Sequence, residues 1–241
     1  ARNAGVKMAT GDIIAFIDDD VIVNENWLSM YVRSYRDPNV IGTGGCIKPL
    51  WIDCNPGKFP EELYWLIGCT NESYFEKTNG VRNTFGGNFS FRREVFDDLS
   101  FSVFFQNLIG KTRGTEDTEF SIRVLKKFPD RKIMYDPEAV AYHKVYLYRM
   151  SLKYILKRAY SEGASKAYIG KLYKSQLSRE HRYMRDLFFH FLPIRIKQIV
   201  KGKDIASNLR NVLLILIVVG TAIFGYIKRM LDLRVSTGRE V

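Results

Sequence analysis

The chain reads as an α/β domain followed by basic helices, and three observations carry that reading. The first is an unbroken apolar run, Ile13 to Ile17, that stops in three carboxylates, Asp18, Asp19 and Asp20. A short run with no polar face suits a strand buried on both sides of a mixed, mostly parallel sheet. The second is the alternation of short strand patterns with helical ones up to about residue 150. The third is a change of character in the second half: residues 1–141 hold 17 Lys+Arg against 20 Asp+Glu, while 142–241 hold 20 against 6. The expected organisation is an α/β domain over residues 1–150, amphipathic interfacial helices over 151–204, a transmembrane helix over 205–229 and a basic tail over 230–241.

A chain of 241 residues can bury one sizeable core with an appendage, or two small domains. Cys46, Cys54 and Cys69 are an odd set with no Cys-x-x-Cys spacing, which reads as reduced thiols rather than a disulfide framework or a zinc site. The chain opens without Met on Ala1 to Ala9, which reads as the end of a helix closed by Gly11. A parallel sheet needs more strands than follow, so the expectation is the C-terminal part of a longer protein.

Taken in order, a helix is expected from Glu25 to Arg36, ended by Asp37-Pro38, then a strand from Val40 to Pro49 interrupted by glycines. Residues 53–83 read as a loop with a short helix from Glu61 to Ile67. Phe85 to Arg92 alternates as a strand entered through a Gly86-Gly87 bend, and Arg93 to Leu99 reads as a short helix. Thr115 suits an N-cap, with Glu116, Asp117 and Glu119 set against the positive end of the helix that follows. Lys132 to His143 reads as two short strands around a turn at Pro137.

From Ser151 the pattern is helical, with Leu152, Ile155, Leu156, Ala159, Gly163 and Ala167 on one apolar face. Residues 183–200 combine aromatic groups, cations and a kink at Pro193, as in a segment lying in a membrane interface. Asn211 to Ile227 is a charge-free run of 17 residues. As a helix it reaches about 26 Å, just under the ~30 Å hydrocarbon core, and Arg210 and Lys228 could close the gap by snorkelling.

Three adjacent carboxylates at a strand end repel one another unless a cation or water is close, and oxygen ligands point to magnesium or manganese. A solvated acidic turn explains the same residues. Helix capping likewise explains Glu116 and Asp117, a tight turn explains Gly86-Gly87, and packing explains His143. Their order along the chain is more specific than any one of them. Asp12-Ile-Ile-Ala-Phe-Ile-Asp-Asp-Asp20, Phe85-Gly-Gly-Asn-Phe-Ser-Phe-Arg-Arg-Glu-Val-Phe96, Thr115-Glu-Asp117 and His143, preceded by Ala1-Arg-Asn-Ala-Gly5, resemble the family 2 glycosyltransferases of the GT-A fold over residues 1 to about 160.

That resemblance implies an inverting, metal-dependent hexosyl transfer from a nucleotide-diphosphate sugar. Asp20, with Asp18 and His143, would hold a divalent cation, Mn2+ or Mg2+. Asp18 or Asp19 would reach the ribose or a metal-bound water, Gly87 and Asn88 would line the sugar pocket, and Arg2 would lie near the nucleotide. Asp117 would be the general base, and Glu116 would orient hydroxyls. The nearest match to the Gln-x-x-Arg-Trp motif of processive synthases is Gln176-Leu-Ser-Arg179-Glu180, without the tryptophan, which points to single-sugar transfer.

A membrane anchor implies an acceptor that lives in the bilayer, a polyprenyl- or dolichyl-phosphate-linked glycan, with the catalytic domain on the cytoplasmic side of a single-pass protein. The competing reading is a catalytically silent, membrane-tethered binding domain of the same fold. Nucleic-acid binding by the basic half is disfavoured, because its long apolar segments would be exposed in a soluble binder.

Overall fold

A five-stranded sheet in the order β1-β4-β3-β5-β2 organises the first half of the molecule. The computed structural model describes residues 1–54, 57, 59–71, 80–102, 115–173 and 178–237. Two compact units are present, one of residues 1–52 and 67–145 and the other of residues 53–66 and 146–241.

In the first unit, helix α1 (Arg2–Met8) leads into β1 (Ile13–Ile17) and β2 (Val21–Val23), then α2 (Trp27–Ser34) and β3 (Val40–Ile52). After these come β4 (Asn88–Arg92), α3 (Val95–Asp98), α4 (Glu116–Lys127) and β5 (Lys132–Tyr146). The α/β class is as the sequence predicts, whereas the pairings whose register is described are antiparallel: β1 with β4, β3 with β4, and β2 with β5. β1 stands at the sheet edge with β4 as its neighbour. Its apolar run is therefore not enclosed on both faces: Ile14 is buried, while Ala15 and Ile17 are exposed.

β4 shows why the sheet holds helices on both sides. Its residues alternate, so Phe89 and Phe91 face one way and Asn88 and Ser90 the other. The phenylalanine side meets Phe101, Phe120, Val95 and Val124 in a core closed by α3 and α4, with Phe101 stacked on Phe120 at 4.1 Å and Phe91 edge-on to Phe120 at 5.2 Å. Each such ring, fully buried, stabilises the fold by about 1.5–3 kcal/mol. The polar side meets α2, where Tyr35 Oη lies 2.9 Å from Ser90 Oγ. Burial pushes both the Tyr31 and Tyr35 phenols well above their usual range.

Three local readings are corrected. α1 ends at Ala9 in extended backbone, its N–H bonded to the Gly5 carbonyl, without help from Gly11. Thr115 takes the N-cap position of α4 but makes no side-chain cap bond, and Glu119 is instead buried against Arg123 at 2.6 Å. Lys132–Tyr146 is one continuous strand through Pro137. The break is avoided because Asp136 Oδ1 accepts the Glu138 N–H at 3.0 Å, and Asp136 Oδ2 receives Arg33 at 2.9 Å.

The second unit is helical: α5 (Leu152–Leu172), α6 (Ser178–Asp186), a π-helical turn (Leu187–Phe191), α7 (Leu192–Val200) and α8 (Ile205–Thr237). Pro193 lies in the first turn of α7, where its missing N–H costs nothing, so the kink is taken up by the π turn before it. The 3-10 helix Glu61–Ile67 is the short helix expected there. Most of it joins this unit, because Arg195 pairs with buried Glu62 at 2.7 Å and the Trp65 Nε1–H donates to Tyr183 Oη at 3.1 Å. The sequence had assigned that segment to the α/β part.

Within α8, Ile205–Arg234 is long and apolar enough to cross a membrane by length and composition. Only 28% of its most apolar window is buried, so α8 is not a helix enclosed in a protein core. The helix also runs past the expected end at residue 229, to Thr237.

Candidate active site

The tight turn between β1 and β2 sets the acids. The Val21 N–H bonds to the Asp18 carbonyl at 3.1 Å, which turns the chain through Asp18-Asp19-Asp20. β2 then pairs with β5 so that Val21 lies opposite His143. Asp20, one residue earlier, consequently meets the histidine: His143 Nε2 is 3.2 Å from Asp20 Oδ2. Two residues far apart in sequence are brought together by ladder register alone.

The back of the His143 ring is held by residues that sequence reasoning missed. Cys69 Sγ lies 3.9 Å from His143 Nδ1, and a Cβ placed on Gly68 would fall 2.9 Å from His143 Cε1. No sequence signal marks Gly68-Cys69, which simply follows a short apolar helix.

Arg2 links the other acids. Its guanidinium reaches Asp18 Oδ1 at 3.3 Å and Glu116 Oε2 at 3.5 Å, while its carbon lies 5.3 Å from the centre of the Phe89 ring and 5.7 Å from that of Phe101. The two aromatic faces fix the direction of the guanidinium fork. Asp117, next in α4, is turned the same way: its Oδ2 accepts the Gly86 N–H at 2.7 Å. Gly87 adopts φ +98°, and a Cβ there would approach Asp18 Oδ2 to 3.2 Å, so the bend needs glycine both for its backbone angle and for the carboxylate beside it.

Arg2, Asp18, Gly87, Glu116 and Asp117 thus form one connected group, and Asp20 with His143 continues it across the turn. Asp18 is half-exposed, Asp19 lies in the turn and faces solvent, and Glu116 and Asp117 are largely buried. Asn88 is corrected. It has no exposed surface; its Nδ2 donates to the Cys46 and Ala139 carbonyls at 2.9 Å each, and its Oδ1 accepts from Trp27 Nε1 at 2.7 Å and Tyr31 Oη at 2.5 Å. An amide with four bonds inside the protein braces the sheet against α2 and does not line a pocket. Gln176, in the degenerate synthase motif, lies outside the described residues.

Asp20 and His143 offer an oxygen and a nitrogen 3.2 Å apart, close to the ~3 Å between adjacent ligands of an octahedral ion bound at ~2.1 Å. Among the described residues no group of three or more such side chains is gathered. The pair therefore fits an ion of the kind that takes one or two protein ligands and completes its shell with water and phosphate.

Residues 1–100 match the model of glycosyl transferase family 2. One similar protein is the glucosyl-dolichyl phosphate glucuronosyltransferase of Haloferax volcanii, 29% identical over 233 residues, 96% of this chain and 74% of the relative. Another is the succinoglycan biosynthesis protein ExoM of Rhizobium meliloti, 28% identical over 171 residues, 68% of this chain and half of the relative. A crystal structure of S. aureus TarS 1-349 with UDP aligns over 98% of this chain and 70% of that one, with 13% identity and a TM-score of 0.37.

Proposed function

We propose that the protein is an inverting glycosyltransferase that moves a sugar from a nucleotide-diphosphate sugar to a polyprenyl- or dolichyl-phosphate-linked acceptor, with the catalytic unit on the cytoplasmic side of the membrane. The observation that carries the reading is the Arg2 fork, which ties the acids after β1 to those at the start of α4. Donor-binding and acceptor-activating groups then share one site. Similarity to the Haloferax glucosyl-dolichyl phosphate glucuronosyltransferase supports the acceptor class.

Each residue has a role that its position allows. Asp117 accepts the proton of the attacking hydroxyl, its carboxylate oriented through the Gly86 N–H. Glu116, adjacent and held by Arg2, orients hydroxyls of the acceptor or sugar. Arg2 and the half-exposed Asp18 lie where the nucleotide enters, and Asp19 reaches the ribose. Asp20 and His143 would hold a divalent cation, Mn2+ or Mg2+, which when bound offsets the charge that builds on the departing diphosphate. Attack by a hydroxyl in one step, opposite the leaving group, inverts the anomeric centre.

The test is direct. Full-length protein is incubated with uridine diphosphate sugars and a polyprenyl-phosphate-linked monosaccharide, and the lipid phase is examined by mass spectrometry. Product one sugar heavier is expected from the wild type and not from Asp117→Asn. A well-folded protein that extends no lipid-linked acceptor with any nucleotide sugar would overturn the proposal.

A further inference from the structure

The contact between α5 and α8 fixes how the apolar helix can meet a bilayer. A Cβ on Gly163 of α5 would fall 1.8 Å from the Ala222 carbonyl oxygen, and one on Gly225 of α8 would fall 2.3 Å from that of Tyr160. Further along, Lys171 Nζ donates to the Leu233 carbonyl at 2.9 Å. The Lys171–Leu233 contact lies further along both helices than the crossing of Tyr160 and Gly163 with Ala222 and Gly225, so the two helices run side by side in the same direction. The backbones touch because glycine stands at both crossing points.

This register places exposed Lys153 and Lys157 of α5 beside Ile215 to Val219, the middle of the charge-free run of α8. Were α8 to cross a bilayer, Lys157 would be carried to its centre, about 15 Å from either headgroup layer and beyond the reach of a lysine side chain, with Lys153 about 6 Å to one side of it. Glu162 and Lys166, paired at 3.0 Å, would follow them. A helix alone could cross; this pair meets a charge penalty that α8 by itself avoids.

The exposed face of α8, where the Phe224 ring also tilts against Tyr160 of α5 at 6.1 Å, has another use. Leu209, Leu213, Leu216, Phe224, Ile227 and Leu231 recur at helical spacing and are each 47–61% exposed. Lys201, Lys203, Arg210, Lys228 and Arg234, all exposed, stand at the ends and flanks of that stripe. An apolar stripe edged by cations is the pattern of a helix lying in an anionic headgroup layer.

We propose that α5 and α8 lie together along one leaflet of an anionic membrane, with the α8 stripe sunk among the acyl chains and the α5 lysines left in water. This replaces the single crossing expected from sequence. It concerns the second unit alone, so it stands or falls independently of the transfer chemistry, although it specifies the membrane partner of the proposed function.

The experiment uses full-length protein in sealed membrane vesicles, with Lys201→Cys and Arg234→Cys probed separately by a membrane-impermeant maleimide. Unsubstituted protein corrects for Cys54. Both positions should label from the same side; labelling from opposite sides means α8 crosses, and overturns the proposal. In a second arm, purified protein is floated with vesicles of phosphatidylcholine alone or with 30 mol % phosphatidylglycerol. Binding should be at least tenfold greater on the anionic vesicles and fall at least tenfold in Leu213→Gln/Phe224→Gln, two exposed positions whose change leaves the circular dichroism intact. Equal binding to both vesicle types, or no binding because the stripe is covered by a second copy in a stable dimer, also overturns it.

Discussion

The backbone N–H of Gly86 donates to Asp117 Oδ2 at 2.7 Å, so a loop before β4 holds the acid that opens α4. A carboxylate that only capped a helix would satisfy its own helix N-terminus; this one is turned toward the group containing Arg2 and Asp18.

Asp117→Asn keeps an oxygen for the Gly86 N–H and removes the proton acceptor. Nucleotide affinity should stay within about twofold while kcat falls by at least a hundredfold, in the range typical of losing general base catalysis. Stopped assays with isothermal titration of UDP check this. Transfer retained within about tenfold, worth only ~1.4 kcal/mol, would leave Asp117 a structural acid.

Gly87→Ala places a methyl group 3.2 Å from Asp18 Oδ2 in a backbone conformation of φ +98°. The expected cost to stability is about 1–2 kcal/mol, with nucleotide affinity lowered at least tenfold as Asp18 is displaced. Thermal melting and UDP titration read the two effects separately. An unchanged affinity would remove Asp18 from the donor site.

Cys69 and Gly68 act on His143 from behind, so substitution there should behave as a weaker His143→Ala. Gly68→Ala brings a Cβ to 2.9 Å from the ring and is expected to lower manganese affinity several-fold, read by paramagnetic resonance. Manganese affinity equal to wild type in both Gly68→Ala and His143→Ala would take the histidine out of the ligand set.

Tyr31 and Tyr35 have folded-state pKa values raised by burial. Below about pH 10, where tyrosine in the unfolded chain is also protonated, neither contributes to pH dependence. As pH climbs past 10 the unfolded chain releases these protons and the native state keeps them, so stability falls by up to about 1.4 kcal/mol per pH unit for each. Melting temperatures from pH 8 to 11 should show the decline, and Tyr35→Phe should flatten it.

Much of the site was legible in sequence because its signals are local. The abrupt end of an apolar run in Asp18-Asp19-Asp20, the Thr115-Glu-Asp117 helix start and the strand ending at His143 each have a structural explanation taken singly, and only their order along the chain is specific. What brings them together is not local. The Asp20–His143 contact follows from a β2–β5 register that depends on where Pro137 allows β5 to continue. Arg2 lies 114 residues before Glu116, and its fork depends on the Phe89 and Phe101 faces beneath it. Asn88 was assigned to the sugar pocket by resemblance alone, whereas alternation along β4 sends its side chain inward to Trp27 and Tyr31. The direction of the individual strands was not legible either, because an apolar run reports burial tendency and carries no information about strand direction.

The central claim is that the acids after β1 and the histidine of β5 together grip a cation-bound diphosphate. Calorimetric titration of UDP into full-length protein, with and without manganese, for wild type and Asp20→Ala, tests it most directly. The account predicts wild-type binding that strengthens at least tenfold with manganese and loses that gain in Asp20→Ala. Equal binding with and without the ion, or a manganese effect unchanged by the substitution, would contradict it.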